Sequence, residues 1–154
     1  MTTSVSFERS LIAPCGINCG TCMAFLRVKN KCYGCWVDFD SKRKTCNECK
    51  IKNCELLAKT SSKFCYECKI FPCEKIKHID KRYRTKYRAS LIQNLVTIKE
   101  TGITTFLELE VKKWTCPNCG STLSVHRDHC LVCSFELTWR LIDMLTLLLK
   151  RYVL

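Results

Sequence analysis

The sequence predicts a small metal-stabilised α+β protein, with an irregular cysteine-rich region containing short helices, a helical middle, a zinc ribbon and a C-terminal helix. Three observations support this fold class. Fifteen cysteines occur in 154 residues, a cysteine-free stretch shows helical periodicity, and two C-x-x-C pairs near the end have ribbon spacing. The regions are 11–78 (cysteine-rich, metal clusters), 79–112 (helical), 113–135 (ribbon) and 136–154 (apolar helix).

The cysteines indicate metal ligation rather than disulfide bonding. Their number is odd, and most occur as C-x-x-C pairs, whose sulfurs converge on one metal more easily than they cross-link distant segments. The N-terminal residues lack the apolar stretch of a secretory signal, which favours a cytoplasmic location. No transmembrane segment is predicted, because charged residues interrupt the apolar stretch 137–154.

The eleven cysteines of the first region are the predicted cofactor ligands. Cys46-x2-Cys49-x4-Cys54 recurs as Cys65-x2-Cys68-x4-Cys73, which suggests two copies of one small metal-binding unit. This region has too little apolar material to fold alone, so metal binding must supply much of its stability. Short helices are expected at about 19–28 and 53–60. The ligands are Cys15, Cys19, Cys22, Cys32, Cys35, Cys46, Cys49, Cys54, Cys65, Cys68 and Cys73.

Two metal schemes fit these eleven cysteines. The close-set triplet Cys15-x3-Cys19-x2-Cys22 suits a cuboidal cluster, which favours one or two [4Fe–4S] clusters. Radical S-adenosylmethionine enzymes share this triplet spacing, but their partial barrel needs a chain roughly twice as long as this one. In the zinc scheme, the eleven cysteines and His78 provide twelve ligands for three four-coordinate sites.

The middle region should consist of two helices. Thr85 is predicted to cap a helix that runs to about Glu100 and ends at Gly102, with its apolar residues on one stripe. A second helix should begin at Thr104 or Thr105.

The ribbon motif is the most specific in the chain. Two C-x-x-C knuckles ten residues apart present four sulfurs in a tetrahedral array, which predicts a structural zinc site with no open position for catalysis. A rubredoxin-like iron site of the same geometry remains an alternative. His126 and His129 fit a surface or hydrogen-bonding role better than ligation. The ligands are Cys116, Cys119, Cys130 and Cys133.

The formal charge of +12 suggests nucleic acid or an acidic partner. Three or four metal–thiolate sites would lower this charge to roughly +4 to +6. Segment 75–88 carries seven Lys or Arg residues with Tyr83 and Tyr87 among them, a pattern that could bind phosphates or simply form a solvated helix face. The chain has no Ser–His–Asp set, Gly-rich phosphate loop or recognisable carboxylate pair.

The cysteine pattern resembles that of a cysteine-rich family of unknown function from anaerobic archaea and bacteria. The resemblance lies in the strings Ala-Pro-Cys-Gly-Ile-Asn-Cys-Gly-Thr-Cys (13–22), Cys-Tyr-Gly-Cys (32–35) and Phe-Cys-Tyr-Glu-Cys-Lys-Ile-Phe-Pro-Cys (64–73). Longer members also have a C-terminal C-x-x-C ribbon. Cys46 is additional to the pattern, and the apolar helix after Phe135 is particular to this chain. The resemblance implies an anaerobic host and a metal-binding role, without an activity.

Three functions are compatible with these observations. The leading one is a non-enzymatic, redox- or oxygen-responsive iron–sulfur and zinc accessory protein that regulates a larger complex and docks through residues 136–154. The second is a zinc-ribbon module that binds nucleic acid through the ribbon and residues 75–88. The third is an electron carrier or an iron–sulfur enzyme with an open iron site.

Overall fold

The computed structural model describes residues 4–40 and 42–138, and this part of the chain is mostly helical. Short helices α1 (Met23–Leu26), α2 (Lys44–Asn47) and α3 (Glu55–Ala58) lie among the N-terminal cysteines. Longer helices follow as α4 (Glu74–Tyr87), α5 (Leu91–Thr101) and α6 (Ile103–Trp114), and 3₁₀ turns occur at Arg9–Leu11, Cys19–Thr21 and Cys65–Glu67. The β structure of the described residues consists of isolated antiparallel bridges at Ile12–Asn18, Thr115–Thr122 and His129–Glu136.

The helical middle is confirmed, but its first predicted boundary is wrong. Thr85 lies inside α4, where its hydroxyl donates to the carbonyls of Lys81 and Arg82 instead of capping a helix. The helix break comes at Arg88, whose φ of 52° is left-handed, and Ser90 then caps α5 by accepting from the Gln93 N–H. The apolar residues Ile76, Ile79 and Tyr83 lie on one stripe of α4 and pack against the core, so the sequence pattern does indicate a helix that begins before Thr85.

A buried carboxylate joins α4 to α5. Asp80 is 2% exposed, and its Oδ1 accepts hydrogen bonds from the Ser90 hydroxyl (2.8 Å) and the Ile92 N–H (3.0 Å). Its Oδ2 pairs with Arg84 at 2.7 Å. Burial alone would raise the pKa of Asp80, but these hydrogen bonds and the Arg84 charge together outweigh it and lower the pKa. Asp80 therefore fixes the angle between the two helices as an ionised group.

The apolar core has two parts. The first lies between the cysteine-rich region and the helices, around Phe64, Ile76 and Leu95. The second surrounds Trp114 and connects the ribbon region to the N-terminal Phe7. Since Tyr83 and Leu107 pack against both parts, the ribbon region and the cysteine-rich region rest on the same helices.

The loop around Cys15 is held by distant parts of the chain. Three of its carbonyls each accept a hydrogen bond of 2.9 Å. The Ile12 carbonyl accepts from the Trp36 indole, and the Pro14 carbonyl accepts from the Cys65 N–H. The Gly16 carbonyl accepts from the Asn94 side-chain amide. Gly16 has φ +90°, and a Cβ at this position would lie 2.7 Å from the Leu91 carbonyl oxygen. Only glycine lets the loop pack this closely on α5.

The predicted C-terminal helix 136–154 falls mainly outside the described residues. Its first three residues are described and are not helical, since Glu136 bridges to His129 and the Leu137 N–H donates to the Asp128 carbonyl at 2.7 Å. Within residues 4–40 and 42–138, no helix is both long and apolar enough to cross a membrane.

Candidate metal centres

The four C-terminal cysteines form a compact group that could hold a metal ion. Their sulfurs all lie within 4.8 Å of one another, and the Cys116–Cys133 and Cys119–Cys130 pairs are each separated by 3.7 Å. Metal–sulfur bonds of about 2.3 Å in a tetrahedron place sulfurs about 3.8 Å apart. Among residues 4–40 and 42–138, this is the one group of three or more candidate ligands that converges so tightly.

The two knuckles of this site have equivalent backbones. In the first, the Gly120 N–H donates to the Cys116 carbonyl at 2.9 Å, and in the second the Ser134 N–H donates to the Cys130 carbonyl at 3.0 Å. Both turning residues have positive φ, +75° for Gly120 and +57° for Ser134. The glycine at position 120 indicates a positive φ from the sequence, whereas the serine at position 134 does not indicate one.

Hydrogen bonding and burial act differently on the thiols of this site. Hydrogen bonds from Ser121 lower the pKa of Cys119 to about 6, and the Asn118 side chain lowers that of Cys133. Burial raises the pKa of Cys130 to about 11. At neutral pH the ligand set therefore contains thiolate already, which is the form that binds metal.

Seven N-terminal cysteines line one cavity of about 280 Å³. Its other polar lining residues are the cations Arg27, Lys31, Lys42 and Arg43 and the neutral Asn30, Thr45 and Tyr83. We call it the seven-cysteine cavity; its thiols are those of Cys15, Cys19, Cys22, Cys32, Cys35, Cys46 and Cys49.

The other four N-terminal cysteines line a second cavity of about 320 Å³. Most of the remaining lining is apolar and comes from α3, from the Ile70–Phe71 turn and from the start of α4. We call it the four-cysteine cavity; its thiols are those of Cys54, Cys65, Cys68 and Cys73. The two cavities divide the first copy of the sequence repeat between them, since Cys46 and Cys49 line one and Cys54 the other.

The two cavities are neighbours. The thiol of Cys65 interacts electrostatically with Cys15 and Cys49 across the boundary, and the Cys65 N–H donates to the Pro14 carbonyl. Burial raises the pKa of Cys19 and of Cys65 to about 12, and it also raises the pKa of Cys15 well above its usual value. These thiols are protonated at neutral pH unless a cation replaces the proton, so metal binding here releases protons.

Lys42 is a buried lysine that the sequence does not single out. Its side chain is 2% exposed, and its ammonium donates to the carbonyls of Cys35 (3.0 Å) and Val37 (2.7 Å) and to the exposed carboxylate of Asp38 (3.4 Å). A full positive charge thus lies beside the seven-cysteine cavity, where it partly compensates thiolates.

The histidines are not placed as ligands. His78, the twelfth ligand of the zinc scheme, is exposed on α4 and lines neither cavity. His126 has the hydrogen-bonding role expected of it, with Nδ1 accepting from the Met23 N–H at 3.3 Å and its ring edge-on to Tyr87 at 4.6 Å. His129 pairs with Asp128 at 2.8 Å near the surface.

The fold also creates an open basic groove that no local pattern predicts. It has a volume of about 740 Å³ and lies between the end of α4 and the ribbon region. Its two sides come from residues about forty positions apart in the sequence, so the shared positive charge of the two segments is the one sequence feature that could have indicated the groove. We call it the basic groove; its charged lining residues are Lys86, Arg88, Arg127 and Asp128, beside Tyr87, His126 and His129.

Comparison of the chain with protein-family models, curated proteins and solved structures finds no match. The structure itself defines a small, mostly helical, cysteine-rich protein with a tetra-cysteine group that could bind a metal ion.

Proposed function

We propose that the chain is an iron–sulfur and zinc accessory protein that responds to redox state or oxygen and regulates a larger protein complex. The N-terminal cavities would hold [4Fe–4S] clusters, and the C-terminal tetra-cysteine group a structural zinc ion. The main support is the contrast between these sites: the C-terminal sulfurs have single-ion spacing, whereas the eleven N-terminal thiols surround cavities of several hundred Å³. Cysteines that bind different irons of one cluster are spread in this way.

A route for the redox response is supported by contacts around Cys22. On one side of it, the Thr21 carbonyl accepts from the Val125 N–H at 2.9 Å; on the other, the Met23 N–H donates to His126. Loss of a cluster from Cys22 would release the loop 19–23 and loosen its attachment to the ribbon region and the basic groove.

The partner would be bound beside the ribbon. Leu131, Val132 and Phe135 on the second knuckle are exposed by 40% or more, and in the sequence they directly precede the C-terminal segment proposed as the docking element. Affinity capture of the partner should weaken with Val132→Glu and remain with Val28→Glu, a 94% exposed valine far from the ribbon in sequence. Equal capture by both variants would contradict docking at this knuckle.

Metal analysis tests the proposal directly. The protein is purified without oxygen, and its visible spectrum, iron, acid-labile sulfide and zinc are measured per chain. About four or eight irons with matching sulfide and one zinc are expected. Air should then bleach the spectrum and increase amide exchange at Val125 and Met23. A colourless protein with three or four zinc ions and no sulfide would contradict the redox function.

Nucleic-acid binding is a second candidate because the basic groove brings the end of segment 75–88 next to residues of the ribbon region, the two parts predicted to bind nucleic acid. Tyr83 and Tyr87 pack on each other (5.2 Å) and against His126, so they are less suited to stack on bases. This function predicts a salt-dependent affinity for single strands, with a slope reduced by about 0.7 for each lost phosphate contact in Lys86→Gln or Arg127→Gln. Exposed Lys99 provides the control, Lys99→Gln.

A further inference from the structure

The ammonium group of Lys42 is a charge that is almost fully removed from water. Its side chain is 2% exposed, and it donates to the carbonyls of Cys35 at 3.0 Å and Val37 at 2.7 Å. The carboxylate of Asp38 lies 3.4 Å from the ammonium but is itself 83% exposed. Because water screens an exposed charge much more than a buried one, Asp38 does not cancel the positive field of Lys42 inside the protein.

Lys42 belongs to the lining of the seven-cysteine cavity. Phe39 lines the same cavity, and its ring centroid lies 5.9 Å from the ammonium. The carbonyl that Lys42 binds at 3.0 Å is that of Cys35, so the charge is attached directly to the backbone of a candidate ligand. Burial raises the pKa of the Cys35 thiol, and the charge of Lys42 opposes this shift. The field of Lys42 therefore reaches a sulfur that would bind metal.

Lys42 is the most buried of the four cations that line this cavity. Arg27 and Lys31 are partly exposed, and Arg43 is exposed. Lys52 also opposes the pKa shift of Cys35, but it pairs with Asp38 at 3.2 Å and its side chain is 17% exposed. Because solvent weakens the field of an exposed charge, Lys42 should have the largest effect of these cations on a group bound in the cavity.

We infer that the juxtaposition of buried Lys42 with Cys35 sets the reduction potential of a cluster in the seven-cysteine cavity, by stabilising the reduced form. This inference rests on the proposed cluster function. Reduction adds one electron to the cluster, and therefore one negative charge, while no bond forms or breaks. A fixed positive charge nearby stabilises the more negative form and raises the potential. Lys42 thus determines how oxidising the surroundings must be before the cluster gives up its electron.

The first test is a redox titration of the full-length protein purified without oxygen. Dithionite and mediator dyes set the potential, and electron paramagnetic resonance follows the reduced cluster. Lys42→Met should raise the ratio of oxidised to reduced cluster at a fixed potential about tenfold or more, and tenfold corresponds to about 59 mV for one electron. Lys99→Met removes an exposed lysine and should leave the potential unchanged.

A second variant tests the same field with the opposite sign. Lys42→Met leaves two carbonyls without their donor, whereas Asp38→Asn changes an exposed side chain and should preserve the fold. It removes the negative charge beside Lys42 and should lower the ratio of oxidised to reduced cluster about two- to fivefold. The matched control is Asp128→Asn, which removes a carboxylate that is 85% exposed and paired with His129.

The outcomes separate this inference from the proposed function. Where two clusters titrate, the one that shifts should be the one that a Cys68→Ser variant retains, and a shift of the other cluster alone would overturn the inference. Unchanged potentials in both variants would overturn it and leave the redox function standing. Loss of iron in Lys42→Met with an unchanged potential in Asp38→Asn would give Lys42 a structural role instead. A wild-type protein without iron would overturn both proposals.

Discussion

The backbone N–H of Met23 donates a hydrogen bond to Nδ1 of His126, 3.3 Å away and 103 residues later in the chain. Met23 directly follows Cys22, a lining residue of the seven-cysteine cavity, and His126 lines the basic groove. One side-chain contact therefore connects a candidate cluster ligand to the basic groove.

We expect His126→Ala to weaken this connection. Removing the acceptor leaves a half-buried N–H unpaired and should lower the free energy of unfolding by about 0.5–1.5 kcal/mol. Amide exchange at Met23 should rise, as measured by mass spectrometry or NMR. The control is His129→Ala, which removes a near-surface ring paired with Asp128 and should change stability by about 0.5 kcal/mol or less. Equal protection of Met23 in both variants would contradict the coupling.

Asp80→Ala should be among the more destabilising substitutions outside the cysteines. It leaves the donors of Ser90 and Ile92 without their buried acceptor, which costs about 2–4 kcal/mol in the free energy of unfolding. Glu74→Ala on the same helix removes an exposed pair with Lys77 and should cost less than about 1 kcal/mol. Denaturant titration compares the two, and similar losses would contradict the role of Asp80 as the joint between α4 and α5.

The sequence predicted the helices better than their boundaries, for physical reasons visible at single residues. Gly102 ends α5 as predicted, because its φ of 85° is a backbone conformation that glycine adopts without strain and other residues rarely adopt. The start of α5 was missed because Ser90 resembles any other polar residue, and its role depends on Asp80 ten positions earlier. The C-x-x-C spacing identified the tight C-terminal group, since local geometry fixes it.

The grouping of the other cysteines could not be predicted, because it depends on how the chain folds back. Sequence repetition pairs Cys49 with Cys54, but the fold places them in different cavities. Lys42 was missed for the same reason: a lysine is normally exposed, and only the tertiary structure surrounds this one with carbonyl oxygens.

Buried Glu110 gives a pH dependence of definite sign. Burial raises the pKa of Glu110, although Lys113 and hydrogen bonds from Asn18 and Trp114 oppose the shift. Its contribution to stability is thus fully present below the unfolded pKa of about 4.3 and is lost as the pH rises through the folded value. As the pH rises from about 4.3 through the folded pKa of Glu110, the free energy of unfolding of Glu110→Gln should increase relative to that of the wild type. The exposed variant Glu108→Gln should show the same pH dependence of stability as the wild type.

Cysteine variants test the assignment of ligands to cavities. Cys54→Ser and Cys68→Ser should each remove the same group of about four irons, and the double variant should lose no more than either single one. Cys22→Ser combined with Cys68→Ser should lose irons from both cavities, and Cys119→Ser should remove zinc alone. Iron and zinc analysis decides, and additive losses from Cys54 and Cys68 would contradict their shared site.

The equivalent knuckles predict substitutions of opposite sign. Gly120→Ser forces a side chain into left-handed backbone and should cost about 1–2 kcal/mol, with no steric cost because nothing lies within 4 Å of the new Cβ. Ser134→Gly relieves the same conformation and should be neutral or stabilising by about 1 kcal/mol or less. Thermal unfolding of the zinc-loaded protein measures both, and destabilisation by Ser134→Gly would refute the equivalence.

The long reach of the bonds around Cys15 also constrains biosynthesis. The loop that carries Cys15, Cys19 and Cys22 is held by Asn94, 78 residues beyond Gly16, and by Glu110, 92 residues beyond Asn18. A ribosome makes the first thiols long before it makes the side chains that position them. The nascent chain therefore carries unpositioned cysteines, and any metal that they hold reaches its final geometry only after most of the polypeptide has been synthesised.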